Sequence, residues 1–306
     1  MPTTPLTVAV LGPGGVGGLI GGLLARDGHR VICLAGEETA AVLDRDGLHV
    51  DSTAFGRFTA RVEAAGELRE PVDAVFVTVK ETALTDALDR IAPQAVDGAI
   101  VVPLLNGLDH VALLRERYPA ARVVAGTIRV EATRTAPGRI EHTSPFAVVE
   151  LAAPAGGAAS TAPVEEFAER VHEFAEQLRH AGLDVAVRKD ETVMLWSKLS
   201  FLAPFALLTT RHADGIGVVR TEHRDELLAV LEEITAVTKA VGAPAGTAAL
   251  LAAFDRLPAT MKSSMQRDVE AGRPTELDAI GGAVLRAAET HGVHTPTIAR
   301  LVRELA

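Results

Sequence analysis

The sequence predicts an α/β domain over residues 1–188 followed by an all-helical domain over residues 189–306. Three observations lead there. Short apolar runs rich in β-formers alternate with helical stretches from the start of the chain, as in strand–helix–strand crossovers of a parallel sheet. A glycine-rich turn, Gly12-Pro-Gly14-Gly15-Val16-Gly17, joins the first strand to the first helix. After Asp190 no strand-like run remains, and apolar residues recur at helical spacing.

Taken in order, LTVAVLG (6–12) is an apolar run ending at glycine, and Val16 to Asp27 is helical. RVICLA (30–35) reads as a second strand, which completes a crossover of about 30 residues. VDAVFVTV (72–79) and AIVVPLL (99–105) are continuous apolar runs, expected of strands buried on both faces. A helix is expected between them, from Thr82 to Ile91. Further strand-like runs fall at 122–130, 138–142, 146–151 and 183–187. A small-residue loop (152–163) and an amphipathic helix, Glu165 to Ala181, lie between the last two. The polar stretch RKDE marks the joint near 188. Beyond it, helices are expected at 190–208, 220–241, 246–256, 276–291 and 296–305, punctuated by Gly242, Pro244, Pro258, Pro274 and Pro296.

Composition narrows the function. Apolar residues make up 48% and charged residues 23%, the balance of a soluble globular protein. The net charge of −10, with basic residues dispersed, argues against nucleic-acid or anionic-membrane partners. Cys33 is the only cysteine, so no internal disulfide can form. Residues 2–25 carry no charge, but seven glycines and Pro13 between Gly12 and Ala25 suit a nucleotide-binding turn better than a signal peptide. The expected location is cytoplasmic. The ten histidines show no ligand spacing with carboxylates, so no metal is expected.

The glycine turn fits G-x-G-x-x-G in the context that gives the motif meaning: after a strand, opening a helix, inside a βαβ unit. Its glycines permit the tight turn, the approach of a pyrophosphate, and close packing of helix on strand, with the phosphates at the positive helix end. This makes the first domain Rossmann-type. Gly12, Gly14, Gly15, Val16 and Gly17 are the candidate cofactor contacts. The residue after the second strand should distinguish NAD from NADP. The segment is Leu34-Ala-Gly36-Glu37-Glu38, with no arginine. Glu37 stands 20 residues after Gly17 and favours NAD(H), unless it merely enriches the first turn of the next helix.

Other candidates flank this turn or lie in the helical domain. Lys80 and Asn106 each follow a buried strand at its carboxyl end, where open α/β sheets bind ligands, and would face a nicotinamide there, unless Lys80 is a solvated loop lysine and Asn106 a turn residue of an Asn-Gly type. In LWSKLSFLAPF (195–205), Lys198 has only apolar neighbours at i±3 and i±4: Met194, Leu195, Phe201 and Leu202. Such a lysine either snorkels to water or does chemistry. Lys262-Ser-Ser264 places hydroxyls near a turn. Glu276 heads an apolar helix, either complementing the helix dipole behind Thr275 as cap or as a functional carboxylate. His142 and His212 read as structural or surface residues.

Taken together, LGPGGVG, VTVK (77–80), LLNG (104–107), LWSKL (195–199), SSMQRD (263–268), GRPTELD (272–278) and HGVHTP (291–296) resemble the ketopantoate reductase (2-dehydropantoate 2-reductase) family over nearly the whole chain. The resemblance implies NAD(P)H-dependent reduction of a 2-oxo acid. It implies Lys198 as general acid, Glu276 as its substrate-binding partner in the catalytic pair, and Asn106 and Ser264 as substrate contacts. Lys80 would lie by the cofactor. Two positions depart from it: ketopantoate reductases resemble one another in asparagines four and eight residues after the lysine, where this chain has Leu202 and Ala206. The arginine that reads a 2′-phosphate in some members is replaced by Gly36. These departures leave open a less polar 2-oxo acid or ketone as substrate. A dinucleotide-binding sensor without turnover and a β-hydroxyacid dehydrogenase of similar design are the competing readings. A homodimer is compatible with the long helices of the second domain.

Overall fold

The computed structural model describes residues 4–119, 122–154 and 162–306; the side chains of 162–164 are outside it. Most of the small-residue loop expected at 152–163 therefore lies outside the described residues. The chain divides into two units. The first comprises residues 1–105 and 110–191, and the second residues 106–109 and 192–306.

The first unit is built on a five-stranded parallel sheet. Its strands are β1 (Thr7–Leu11), β2 (Arg30–Leu34), β5 (Glu63–Ala65), β6 (Ala74–Val77) and β7 (Ile100–Pro103), in the order β5-β2-β1-β6-β7. Among the parallel strands alone this is the order 3-2-1-4-5 of a doubly wound dinucleotide fold. Val8 to Leu11 and Ala74 to Val77 are all buried, which explains their uninterrupted apolar runs. The expected helix at 82–91 is shorter, a 3₁₀ turn (Glu81–Ala83) leading into α3 (Leu84–Leu88).

Two smaller sheets complete this unit. One runs β4 (Gly56–Ala60), β3 (Leu48–Ser52), β10 (Arg139–His142), β9 (Ala132–Ala136). The other runs β12 (Asp184–Arg188), β11 (Val148–Ala152), β8 (Ala125–Arg129). Strands β3, β4, β5 and β9 escaped the sequence reading because they are short or half-exposed and carry polar residues such as those of LHVDS and GRFTA. Helix α1 (Gly15–Arg26) packs on the parallel sheet and also against β3, β4, β9 and β10. Its buried stretch runs from Gly17 to Leu24 without interruption. Gly18 faces Ile140, and Gly22 faces Val50 and Phe58. Gly18 and Gly22, beyond the cofactor-turn motif, thus serve a helix covered on two sides. Helix α2 (Glu37–Asp46) follows β2, α4 (Asp109–Arg117) follows β7, and α5 (Ala162–His180) packs beside β12. His142 is buried between Ser52 and Ser144 and stacks on Phe55, a structural role.

The second unit is helical. Helix α6 (Glu191–His212) carries Lys198; its Trp196, Leu199, Ala203 and Phe205–Leu208 join the core. It is long and apolar enough to cross a membrane, yet most of its apolar window is buried, as in a core helix. Pro204 lies inside it, removing the amide that would bond to Ser200. The helix expected at 220–241 is two, α7 (Ile216–Glu222) and α8 (Arg224–Ala240), with His223 between them. Then come α9 (Thr247–Arg256), α10 (Ser264–Glu270), a π-helical turn (Asp278–Gly282), α11 (Ala283–His291) and α12 (Pro296–Leu305). His212 pairs with Glu226 at 2.6 Å and stacks on His223.

Candidate functional site

In the first unit the glycine turn leaves β1 at Gly12, whose φ of +85° is a left-handed value that favours glycine. A Cβ there would also meet Val79 Cγ1 at 2.5 Å. Gly14 precedes the first turn of α1, and no side chain caps that end. A side chain at Gly14 would meet nothing nearer than a carbonyl oxygen at 3.9 Å. Open space before an uncapped helix N-terminus fits an anionic pyrophosphate. Gly15 is pressed against the carbonyl of Ala132, and Gly17 against Thr78 and the Gly12 carbonyl. Val16 is half-buried in the same turn.

Thr78 was not singled out from sequence, yet it holds the turn. Its Oγ1 donates to the Gly12 carbonyl at 2.8 Å and lies 3.0 Å from that of Leu11, while its amide donates to Leu11 O at 2.9 Å. Thr78→Val keeps the shape and removes the hydroxyl. The expected result is a loss of about 1–2 kcal/mol of stability and weaker dinucleotide binding, measured by denaturant unfolding and titration calorimetry. Lys80 follows as the residue before the 3₁₀ turn, half-buried, two residues beyond Thr78. Glu37 is the exposed first residue of α2.

In the second unit three of the expected residues come together. Asn106 Nδ2 donates to Glu276 Oε2 at 3.1 Å. Glu276 is 8% exposed. Lys198 is half-buried, and burial lowers its pKa to about 8, with the Glu276 charge pulling the other way. Burial is the larger effect, so this ammonium gives up its proton more readily than an ordinary lysine. The local chain explains how these groups are held. Gly107, at φ +87°, brings the 106–109 segment so close to Ala279 that any side chain would overlap its carbonyl. Arg286 then clamps this segment to the π turn, donating to Asp109 Oδ2 at 2.6 Å and to Asp278 Oδ1 at 2.9 Å. Glu276 stands just before that turn, its carbonyl accepting from Ile280 at 3.0 Å. π turns are rare and frequent at functional sites.

Ser264 is the exposed first residue of α10, and the hydroxyl at the helix cap belongs to its neighbour. Ser263 is buried, accepts from the Gln266 amide at 3.1 Å and receives Thr209 Oγ1 at 2.9 Å. At the two positions where the resemblance has asparagines, Leu202 is half-buried against the helical core and Ala206 is fully buried in it. Among the described residues no cluster of three or more His, Cys, Asp or Glu could hold a metal ion.

The two-part architecture has counterparts among known proteins. The model of ketopantoate reductase PanE/ApbA matches residues 8–154, and that of its C-terminal domain matches residues 192–306. A 2-dehydropantoate 2-reductase of Halobacterium salinarum is 30% identical over 97% of this chain and 98% of its own. The crystal structure of 2-dehydropantoate 2-reductase from Methylococcus capsulatus superposes with a TM-score of 0.83 at 26% identity, covering 98% of this chain and 96% of that one. A D-mandelate dehydrogenase, solved with NADH and anilino(oxo)acetate, shares the fold at a TM-score of 0.86 and 20% identity, over 97% and 96% of the two chains. The chain belongs to the ketopantoate reductase family of oxidoreductases.

Proposed function

We propose that this chain reduces a 2-oxo acid to a 2-hydroxy acid with NADPH or NADH, as in the conversion of 2-dehydropantoate to pantoate. The observation that carries the reading is Lys198: a half-buried ammonium on an apolar helix face, with its pKa brought to about 8 and a buried carboxylate set against it. The nicotinamide, when bound, supplies the hydride. The protein must then manage the charge that grows on the carbonyl oxygen. Lys198 Nζ stabilises that charge and delivers its proton to the oxygen. A pKa near 8 keeps the group mostly protonated at neutral pH while making the proton easier to release. Glu276 sustains the protonated form and, with Asn106, offers polar contacts that orient the substrate. Ser264, exposed at the start of α10, offers a hydroxyl to the same substrate. The N-terminus of α1 and Gly12, Gly14, Gly15, Val16 and Gly17 would hold the pyrophosphate, with Lys80 at the neighbouring strand end.

A second reading, reduction of a less polar 2-oxo acid or ketone, is favoured by Leu202. It lies one helical turn from Lys198, half-buried against the helical core, and is apolar where the resemblance has an asparagine suited to a hydroxylated substrate. The test is cofactor oxidation followed by absorbance, with ketopantoate and a set of apolar 2-oxo acids, each with NADPH and NADH. Turnover of ketopantoate supports the first reading. Turnover of the apolar acids alone supports the second. Dinucleotide binding without turnover of any of them would favour a sensor. The working form is expected to be cytoplasmic.

A further inference from the structure

We propose that Arg90 reads the adenosine 2′ position of the dinucleotide and takes a 2′-phosphate, so that NADPH is preferred over NADH. This rests on the reading of the first unit as dinucleotide-binding. In a doubly wound sheet the adenosine ribose lies at the carboxyl end of the second strand. That strand, β2, ends at Leu34 and is followed by Ala35-Gly36-Glu37, without a cation. The fold supplies one from elsewhere. Arg90, two residues after α3, sends Nη1 to the Ala35 carbonyl at 2.8 Å and to that of Gly66 at 3.4 Å. Gly66 directly follows β5, which pairs with β2. The guanidinium is thus fixed by backbone at the strand end where the ribose belongs.

Only one of its nitrogens is used in this way. Among the described residues Nη2 and Nε have no protein acceptor, and no carboxylate pairs with Arg90. The other arginines near β2 are engaged differently. Arg30 opens the strand at its far end and pairs with Glu63 and Glu70. Arg26 lies over the Phe58 ring at 4.4 Å and donates to the Phe55 carbonyl. A guanidinium fork with free donors matches the charge and the several acceptor oxygens of a phosphate dianion, whereas a 2′-hydroxyl offers it one neutral acceptor. Glu37 pulls the other way, since a carboxylate accepts from a 2′-hydroxyl. It is exposed on the first turn of α2, where a negative charge already complements the helix end. Arg90 is the group held in place.

The experiment is titration calorimetry on the full chain with NADP⁺, NAD⁺, 2′,5′-ADP and 5′-AMP. The wild type is expected to bind 2′,5′-ADP and NADP⁺ at least about tenfold more tightly than 5′-AMP and NAD⁺. Arg90→Gln should weaken NADP⁺ binding by about 10–100-fold and NAD⁺ binding by less than about threefold, with Arg90→Lys between. The fragment comparison uses the wild type alone, so it holds even if a variant folds poorly. Equal affinities in the wild type, or a preference for NAD⁺, would overturn the proposal. So would an Arg90→Gln variant that weakens both dinucleotides equally, which would show a residue that only holds the Ala35 loop. If the wild type bound neither dinucleotide, the dinucleotide reading itself would fall, and Arg90's role with it.

Discussion

Replacing Lys198 by methionine, which fits the apolar face of α6, should lower kcat by about 10²–10⁴-fold while leaving dinucleotide affinity within about threefold. The face around it is made by Met194, Leu195, Phe201 and Leu202, so the variant removes the proton, the charge and the contacts of the ammonium while keeping an apolar fit. The wild-type pH profile should carry the same signature. A general acid must be protonated to act, and the pKa of Lys198 is about 8. The logarithm of kcat/KM should therefore be flat below pH 8 and fall above it. In the methionine variant that alkaline limb should vanish along with most of the rate. Unchanged turnover in the variant, or a wild-type profile flat through pH 9, would remove Lys198 from the chemistry.

The parallel-sheet strands and the helical half could be read from sequence because burial writes a plain pattern. Strands covered on both faces become continuous apolar runs, as in AVFV and IVVP, and core helices keep a period near 3.6. What stayed hidden has no such pattern. Strands β3 and β4 are only five residues long each, and their polar positions look like loop. The glycine-turn motif ends at Gly17, whereas Gly18 and Gly22 answer to a second sheet that no local signal announces. In the site, Lys198 was visible because a charge in an otherwise apolar stretch of helix stands out in the sequence. Arg286 and Thr78 were not, since an arginine and a threonine are ordinary residues until the fold sets them against Asp109 and Gly12. Asn106 and Glu276 are 170 residues apart, and only the fold makes them neighbours.

Glu276 should be separable into a charge and a shape. In Glu276→Gln the side chain keeps an oxygen to accept from Asn106 Nδ2, but the negative charge is gone. That charge is what raises the pKa of Lys198 against burial. Its removal lets burial act alone, so the alkaline limb of the profile should move to lower pH. At pH 8 the loss of rate then exceeds the loss at pH 6, because fewer lysines hold the proton. Glu276→Ala removes the acceptor as well and leaves the Asn106 amide without its partner, which costs about 1–3 kcal/mol where such a group is buried. The alanine variant should therefore show the same displaced limb plus a lower melting temperature and a raised KM for the oxo acid. Rate–pH curves for the three proteins, with melting curves beside them, decide the matter. A limb that stays in place in Glu276→Gln would mean that the carboxylate serves only to bind and position, and that Lys198 owes its pKa to burial alone.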